Sequence, residues 1–259
     1  MTIHYFHNTN HLGDSIMNLR FFYNNSELLR LSNIKIVYYY SVYTSKFLNE
    51  LYAYVDPTTV ELQPMSQKHD ESIELWMGNS IGKVDRFTFS AYYDLFYKAI
   101  QKHLLLDSMP LDCNFWQAEP QLEGIYTTLP PCYKDIDIVI VNSEAFSGQY
   151  RRHPDEMNQL CEFLSKRYRI VTTQKVGNLP CTTDHGLQLK DIGALTTHAK
   201  YVVAVMTGPI CAMYTKESQA SVKKWFIITT DGNVYAHTGI IYELINNGDL
   251  TSIYTFFNS

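Results

Sequence analysis

Five short stretches of this chain carry side chains able to do chemistry. His11, Gly13 and Asp14 stand together in NTNHLGD, where an imidazole and a carboxylate can each take a proton. Ser147, Gly148, Arg151 and Arg152 share one loop; the planar guanidinium fork of arginine binds two phosphate oxygens at once and keeps its charge. Thr207, Gly208 and Pro209 follow the apolar run YVVAVM and open a helix, so their amides and the positive helix end offer an anion site. Thr183, Asp184 and His185 form a polar cluster, and Lys190 and Asp191 head the next helix. Each has a plainer reading beside it: an N-cap for Asp14, a surface loop histidine for His11, a solvated pair for Arg151 and Arg152, ordinary helix-start charge for Lys190 and Asp191, and ordinary turns for the rest. Asp135 and Asp137 have the spacing of a D-x-D metal motif but precede their strand, at the end away from ligands, and read as a solvated strand start.

Strands and helices must position these groups. Ile3 to Phe6 is a short apolar strand, followed by the loop His7 to Gly13 and an amphipathic helix from Asp14 to about Arg30. Ile34 to Tyr40 is a β-branched and aromatic strand, Thr44 to Tyr54 a helix, Thr59 to Leu62 and Ile73 to Met77 short strands, and Phe89 to Leu106 a helix with an aromatic face. Pro130 and Pro131 continue neither helix nor central strand, and there the pattern restarts. Strand Ile136 to Asn142 leads through Ser143 to His153 into helix Pro154 to Arg167 and strand Arg169 to Thr173. Helix Leu189 to Ala199, strand Tyr201 to Met206, helix Ile210 to Gln219, strand Trp225 to Thr229 and a closing helix Gly239 to Asn247 complete the chain. Continuous apolar runs such as IVIVN fit parallel strands buried on both faces. The expectation is an α/β protein of two tandem Rossmann-like domains, 1–131 and 132–259, with a ligand cleft between them lined by the loops beyond the strands' carboxyl ends.

Composition narrows the function classes. The chain has 259 residues with 21 basic and 26 acidic side chains, a formal charge of −5, and no dense Lys/Arg block; nucleic acid held through backbone charge is not expected. No apolar run approaches the about 20 residues needed to cross a bilayer, and the start MTIHYFHNTNH lacks the pattern of a signal peptide, which suggests a cytoplasmic protein. Five cysteines with no C-x-x-C pair argue against a disulfide framework or zinc site, so no metal is expected. The motifs of dehydrogenases, P-loop NTPases, zincins and α/β-hydrolases are missing. Twenty tyrosines, concentrated before residue 130, suit core edges first and a sugar-stacking surface second.

The segment LKDIGALTTHAKYVVAVMTG, Leu189 to Gly208, resembles the donor site of GT-B glycosyltransferases of the heptosyltransferase type, glycosyltransferase family 9. In that family such a helix leads through a buried strand into a Thr-Gly turn that holds a nucleotide diphosphate. HLGD resembles the family's glycine–aspartate loop, whose carboxylate serves as general base. The resemblance implies an inverting, metal-independent transfer of sugar from a nucleotide-diphosphate donor to a glycan or other hydroxyl acceptor, the nucleotide sugar being substrate, with no cofactor. It assigns Asp14, with His11 as understudy, to catalysis. By it Gly13, Thr207, Gly208 and Pro209 fall to the donor phosphates and Lys190 and Asp191 to the nucleoside; on their own chemistry and loop position Ser147, Gly148, Arg151 and Arg152 join the phosphates, and Thr183, Asp184 and His185 the nucleoside. Met206, Cys211 and Lys190 stand where the family usually has Asp, His and an acidic residue. These departures keep a nucleotide- or glycan-binding module as the alternative, beside other enzymes of the fold such as a sugar-nucleotide epimerase or a pyruvyl transferase.

Overall fold

A computed structural model describes residues 1–9, 11–76, 89–106, 110–144, 154–229, 237–246 and 248–259. The chain forms two compact units, Met1–Gln117 and Ala118–Ser259.

The first unit runs β1 (Thr2–Asn8), α1 (Leu12–Asn24), α2 (Ser26–Leu31), β2 (Ile34–Tyr40), α3 (Leu48–Tyr52), β3 (Val60–Pro64), β4 (Ile73–Glu74) and α4 (Phe89–His103). Its sheet has the order β3-β2-β1-β4 with every pairing parallel, Phe6 opposite Tyr38 and Asn8 opposite Tyr40. The amphipathic stretch expected as one helix from Asp14 is two. Asn25 interrupts it: its amide donates to Phe21 O at 2.8 Å and its Oδ1 accepts from Asp112 N at 2.8 Å, so the side chain competes with the helical ladder. The first helix also begins earlier, at Leu12, which places Gly13 inside its first turn instead of ahead of it and makes Asp14 its third residue instead of its first.

Tyrosine fills this unit's core. Tyr38, Tyr54, Tyr93 and Tyr97 are at most 1% exposed, the Tyr97 ring stacks on Phe21 at 4.6 Å, and its hydroxyl donates to Met17 O. Those four rings are interior packing, not a surface for stacking sugar.

The second unit runs α5 (Gln121–Thr128), β5 (Ile138–Val141), α6 (Pro154–Ser165), β6 (Ile170–Thr172), α7 (Leu189–Thr196), β7 (Tyr201–Val205), α8 (Gly208–Met213), α9 (Lys216–Ser221), β8 (Lys224–Thr229), β9 (Tyr242–Asn246) and α10 (Thr251–Asn258). The sheet order is β6-β5-β7-β8-β9, again all parallel. Residues of α6 and α10, including Leu160, Leu164, Ile253 and Phe257, pack into one core with β5, β7 and β8.

The units meet at Gln117 and Ala118, and α5 packs on α7 within the second. Two elements of this unit differ from the sequence reading. The helix expected from Ile210 to Gln219 is split, since the Thr215 side chain accepts from Ser218 N and caps a new helix, α9. The closing helix expected over Gly239 to Asn247 is instead β9, an edge strand whose Tyr242 pairs with Trp225. IYELIN is short enough to satisfy either period, and the cross-strand pair of Glu243 with Lys224 at 2.7 Å favours the extended form.

Candidate functional site

In the first sheet β1 lies between β2 and β4, so strand order reverses at β1 and the carboxyl ends of β1 and β4 flank the crevice where ligands bind in such sheets. Two buried asparagines close the base of this region. Asn8, at the end of β1, donates to Leu75 O at 3.3 Å and accepts from His11 N at 3.2 Å; Asn18 of α1 donates to Leu75 O at 2.9 Å. They tie the segment after β4 to the β1–α1 connection. His11 is the N-cap residue, with extended backbone and no side-chain cap bond, and its ring stacks on Trp76 at 6.0 Å.

Asp14 is the third residue of α1, and its carboxylate accepts from the Tyr93 hydroxyl of α4 at 2.8 Å. As a residue Asp14 keeps partial exposure, yet its carboxyl group is deep enough for lost hydration to dominate its titration. Burial pushes it above the ordinary carboxylate range, against the Tyr93 hydroxyl, the nearby His11 and its own backbone amide, which favour the charged form. Behind it lies Tyr38, whose phenol burial pushes up and so keeps protonated. The N-cap reading of Asp14 fails on this geometry: the cap position is His11, and the carboxylate turns to another helix.

In the second sheet the order reverses at β5, between β6 and β7. Thr207 is the N-cap residue of α8, Gly208 and Pro209 its first two residues, and all three are half-buried. Thr207 makes no cap bond with its side chain, and its Oγ1 has no hydrogen-bond partner among the described residues. Met206 is core: its sulfur accepts from the Tyr214 hydroxyl, which also meets His237 Nε2 at 3.1 Å. Burial pushes that imidazole down to about 3, so it stays neutral. After β5, Asn142 Oδ1 accepts from Thr173 N at 3.1 Å and Gln174 N at 2.7 Å, while Ser143 pairs with Thr173 through their hydroxyls. Ser147, Gly148, Arg151 and Arg152 lie outside the described residues.

The nucleoside candidates are held locally. Asp184 accepts from Cys181 N at 3.2 Å and Lys175 Nζ at 2.7 Å, and the bond with Lys175 holds its carboxyl below the ordinary range. Thr183 Oγ1 meets Cys181 Sγ, and His185 Nδ1 meets the Tyr133 hydroxyl at 2.9 Å. Asp191 reaches back to Gln188 N at 2.8 Å in a capping box at the start of α7, and Lys190 is half-buried beside it. Cys211 is buried on α8. Sequence reasoning passed over Tyr93, Asn8 and Trp76. Asn8 had a positional signal, standing just beyond an apolar strand; Trp76 fell inside the expected strand Ile73 to Met77, which ends at Glu74, and Tyr93 looked like any other member of an aromatic helix face.

Among the described residues no group of His, Cys, Asp and Glu converges as a metal site, and no helix is long and apolar enough to cross a membrane. No family model and no curated protein sequence matches the chain. Solved structures do. A glycosyl transferase of family 9 from Veillonella parvula matches at TM-score 0.55 and 14% identity, over 100% of this chain and 89% of that one. The E. coli heptosyltransferase WaaC with ADP-2-deoxy-2-fluoro heptose matches at 0.57 and 12%, over 100% and 99%. The E. coli ADP-heptose lps heptosyltransferase II matches at 0.51 and 14%, over 95% and 90%. At these identities the likeness is one of fold, and the fold is tandem Rossmann-like α/β.

Proposed function

We propose that this protein is a glycosyltransferase that moves a sugar from a nucleoside-diphosphate donor to a hydroxyl acceptor, with Asp14 as general base. The observation that carries the reading is the Asp14 carboxyl group at the switch point of the first sheet, drawn out of water and anchored by Tyr93. A carboxylate of raised proton affinity takes a proton from an attacking hydroxyl more readily than a surface one, because its pKa lies closer to the working pH. Inverting displacement needs one such base opposite the leaving group. The leaving diphosphate would be held in the second unit, at the turn Thr207 to Pro209, by backbone amides and by Arg151 and Arg152, whose charge would offset the one that develops. In this scheme the residues supply orientation and charge compensation, with no cofactor and no metal. Support for the donor class comes from the fold shared with a heptosyltransferase whose structure holds an ADP-sugar analogue.

The test is incubation with a panel of nucleoside-diphosphate sugars, ADP-heptose among them, and glycan acceptors, with mass analysis of both products. Glycosylated acceptor appearing together with free nucleoside diphosphate supports transfer. Nucleotide binding without any transferred sugar would reduce the protein to a binding module, and donor conversion without an acceptor product would indicate another enzyme of this fold.

A further inference from the structure

Tyr93 occupies a place the sequence did not mark out. Its ring is 1% exposed and wedged among Phe89, Phe96, Tyr97 and Phe115, with ring centroids 5.1, 5.8, 5.6 and 5.7 Å away. A phenol clamped on so many sides has one orientation, so its hydroxyl is a fixed point. That point is 2.8 Å from Asp14 Oδ1, across 79 residues of sequence. An aspartate side chain has two torsions to settle, and a donor fixed by another helix removes that freedom before substrate arrives. Burial alone would require only that the hydroxyl find some acceptor; here the acceptor is the carboxylate proposed as the base.

We infer that Tyr93 is a positioning residue for Asp14, its hydroxyl holding the carboxylate in the orientation from which it takes the acceptor's proton. The inference rests on the proposed role of Asp14. Among the described residues, the titratable groups that face the Asp14 carboxylate are His11 at the start of α1, Tyr38 of β2 and Tyr93 of α4. Of these Tyr93 donates directly. A hydrogen bond to the ionised form favours that form, so removing it makes the carboxylate easier to protonate.

The experiment is Tyr93→Phe, which keeps the ring and deletes the donor. Titration of the Asp14 carboxyl carbon by NMR is expected to move to higher pH by about one unit, and the acid limb of the transfer rate to move with it. The kcat for transfer is expected to fall about tenfold with little change in KM, since orientation of the base matters after the substrate is bound. Tyrosine fluorinated at the 3-position, placed at residue 93, is a stronger donor in nearly the same space; it is expected to move the titration the other way. It also stands as the second variant should Tyr93→Phe fold poorly. An Asp14 titration and acid limb unmoved by either substitution overturn the inference. The base reading fails separately: Asp14→Asn with an undiminished transfer rate removes it, whereas Asp14→Asn inactive and Tyr93→Phe unchanged removes only the role of Tyr93.

Discussion

The two units hold their carboxylates in opposite ways. In the first unit Asp14 is bound by a side chain from a distant helix and is pushed toward the protonated form by burial. In the second, Asp184 and Asp191 accept from backbone amides three residues away, and Asp184 is held toward the charged form by Lys175. A carboxylate satisfied by its own turn shapes the backbone. One taken out of water and aimed by tertiary contacts is costly to ionise, and that cost is what makes it a useful base. The difference separates carboxylates tied into their own turn from one held by tertiary contacts, although both kinds stand beyond the ends of parallel strands.

The sharpest way to disturb the second site leaves its polar groups untouched. Gly193 of α7 packs so closely that an added Cβ would meet Ala212 O of α8 at 2.8 Å and Leu122 of α5 at 3.7 Å. Backbone must move to relieve that contact. Gly193→Ala is expected to cost about 2–3 kcal/mol in chemical unfolding, in the range of overpacked cores. Because α8 opens with Gly208, the same variant is expected to weaken nucleotide binding, read as a smaller thermal shift with ADP. Unchanged stability would mean that α7 and α8 part easily and that the turn is not fixed by their contact.

Next in size is Asp191→Ala. It removes the capping-box carboxylate that accepts from Gln188 N and is expected to cost about 1 kcal/mol. If Asp191 is only a cap, affinity for nucleoside diphosphates measured by calorimetry stays as it was; a large loss of affinity would return it to the nucleoside site and blur the contrast between the units.

The smallest effect has the opposite sign. Between the unfolded-state carboxyl pKa, near 3.8, and the raised native value of Asp14, the folded protein binds more protons than the unfolded one, so this residue lowers stability as pH rises. Asp14→Asn lacks the charge. It is expected to melt slightly higher than wild type at pH 7, by about 2–4 °C for each kcal/mol in a protein of this size, with the gap closing below the ordinary carboxylate range. A lower melting temperature at pH 7 would mark Asp14 as a structural ion.

These effects bear on what the sequence made legible. Continuous apolar runs identified β5 and β7, because parallel strands buried on both faces leave a pattern that little else produces. The edge strand β9 was hidden, since five residues with one buried side chain, Ile245, carry no decisive period. Helix α5, between Pro120 and Pro130, is too short for periodicity to stand out and joins its unit through contacts with α7 that lie far along the chain. The candidate site was half legible for the same reason. NTNHLGD placed Asp14 beside a strand end, but its local neighbours suggested a cap, and the partner that decides otherwise is 79 residues away.

The central claim is that the raised, anchored carboxylate of Asp14 is a base and not a scaffold. Its most direct test compares kcat/KM for sugar transfer by wild type and Asp14→Asn, with the same donor and acceptor and melting curves taken alongside. A fall of about 10²–10⁴-fold, the range for loss of a general base, with a melting temperature equal to or above wild type, is the expected result. An undiminished rate in a well-folded Asp14→Asn protein would contradict it.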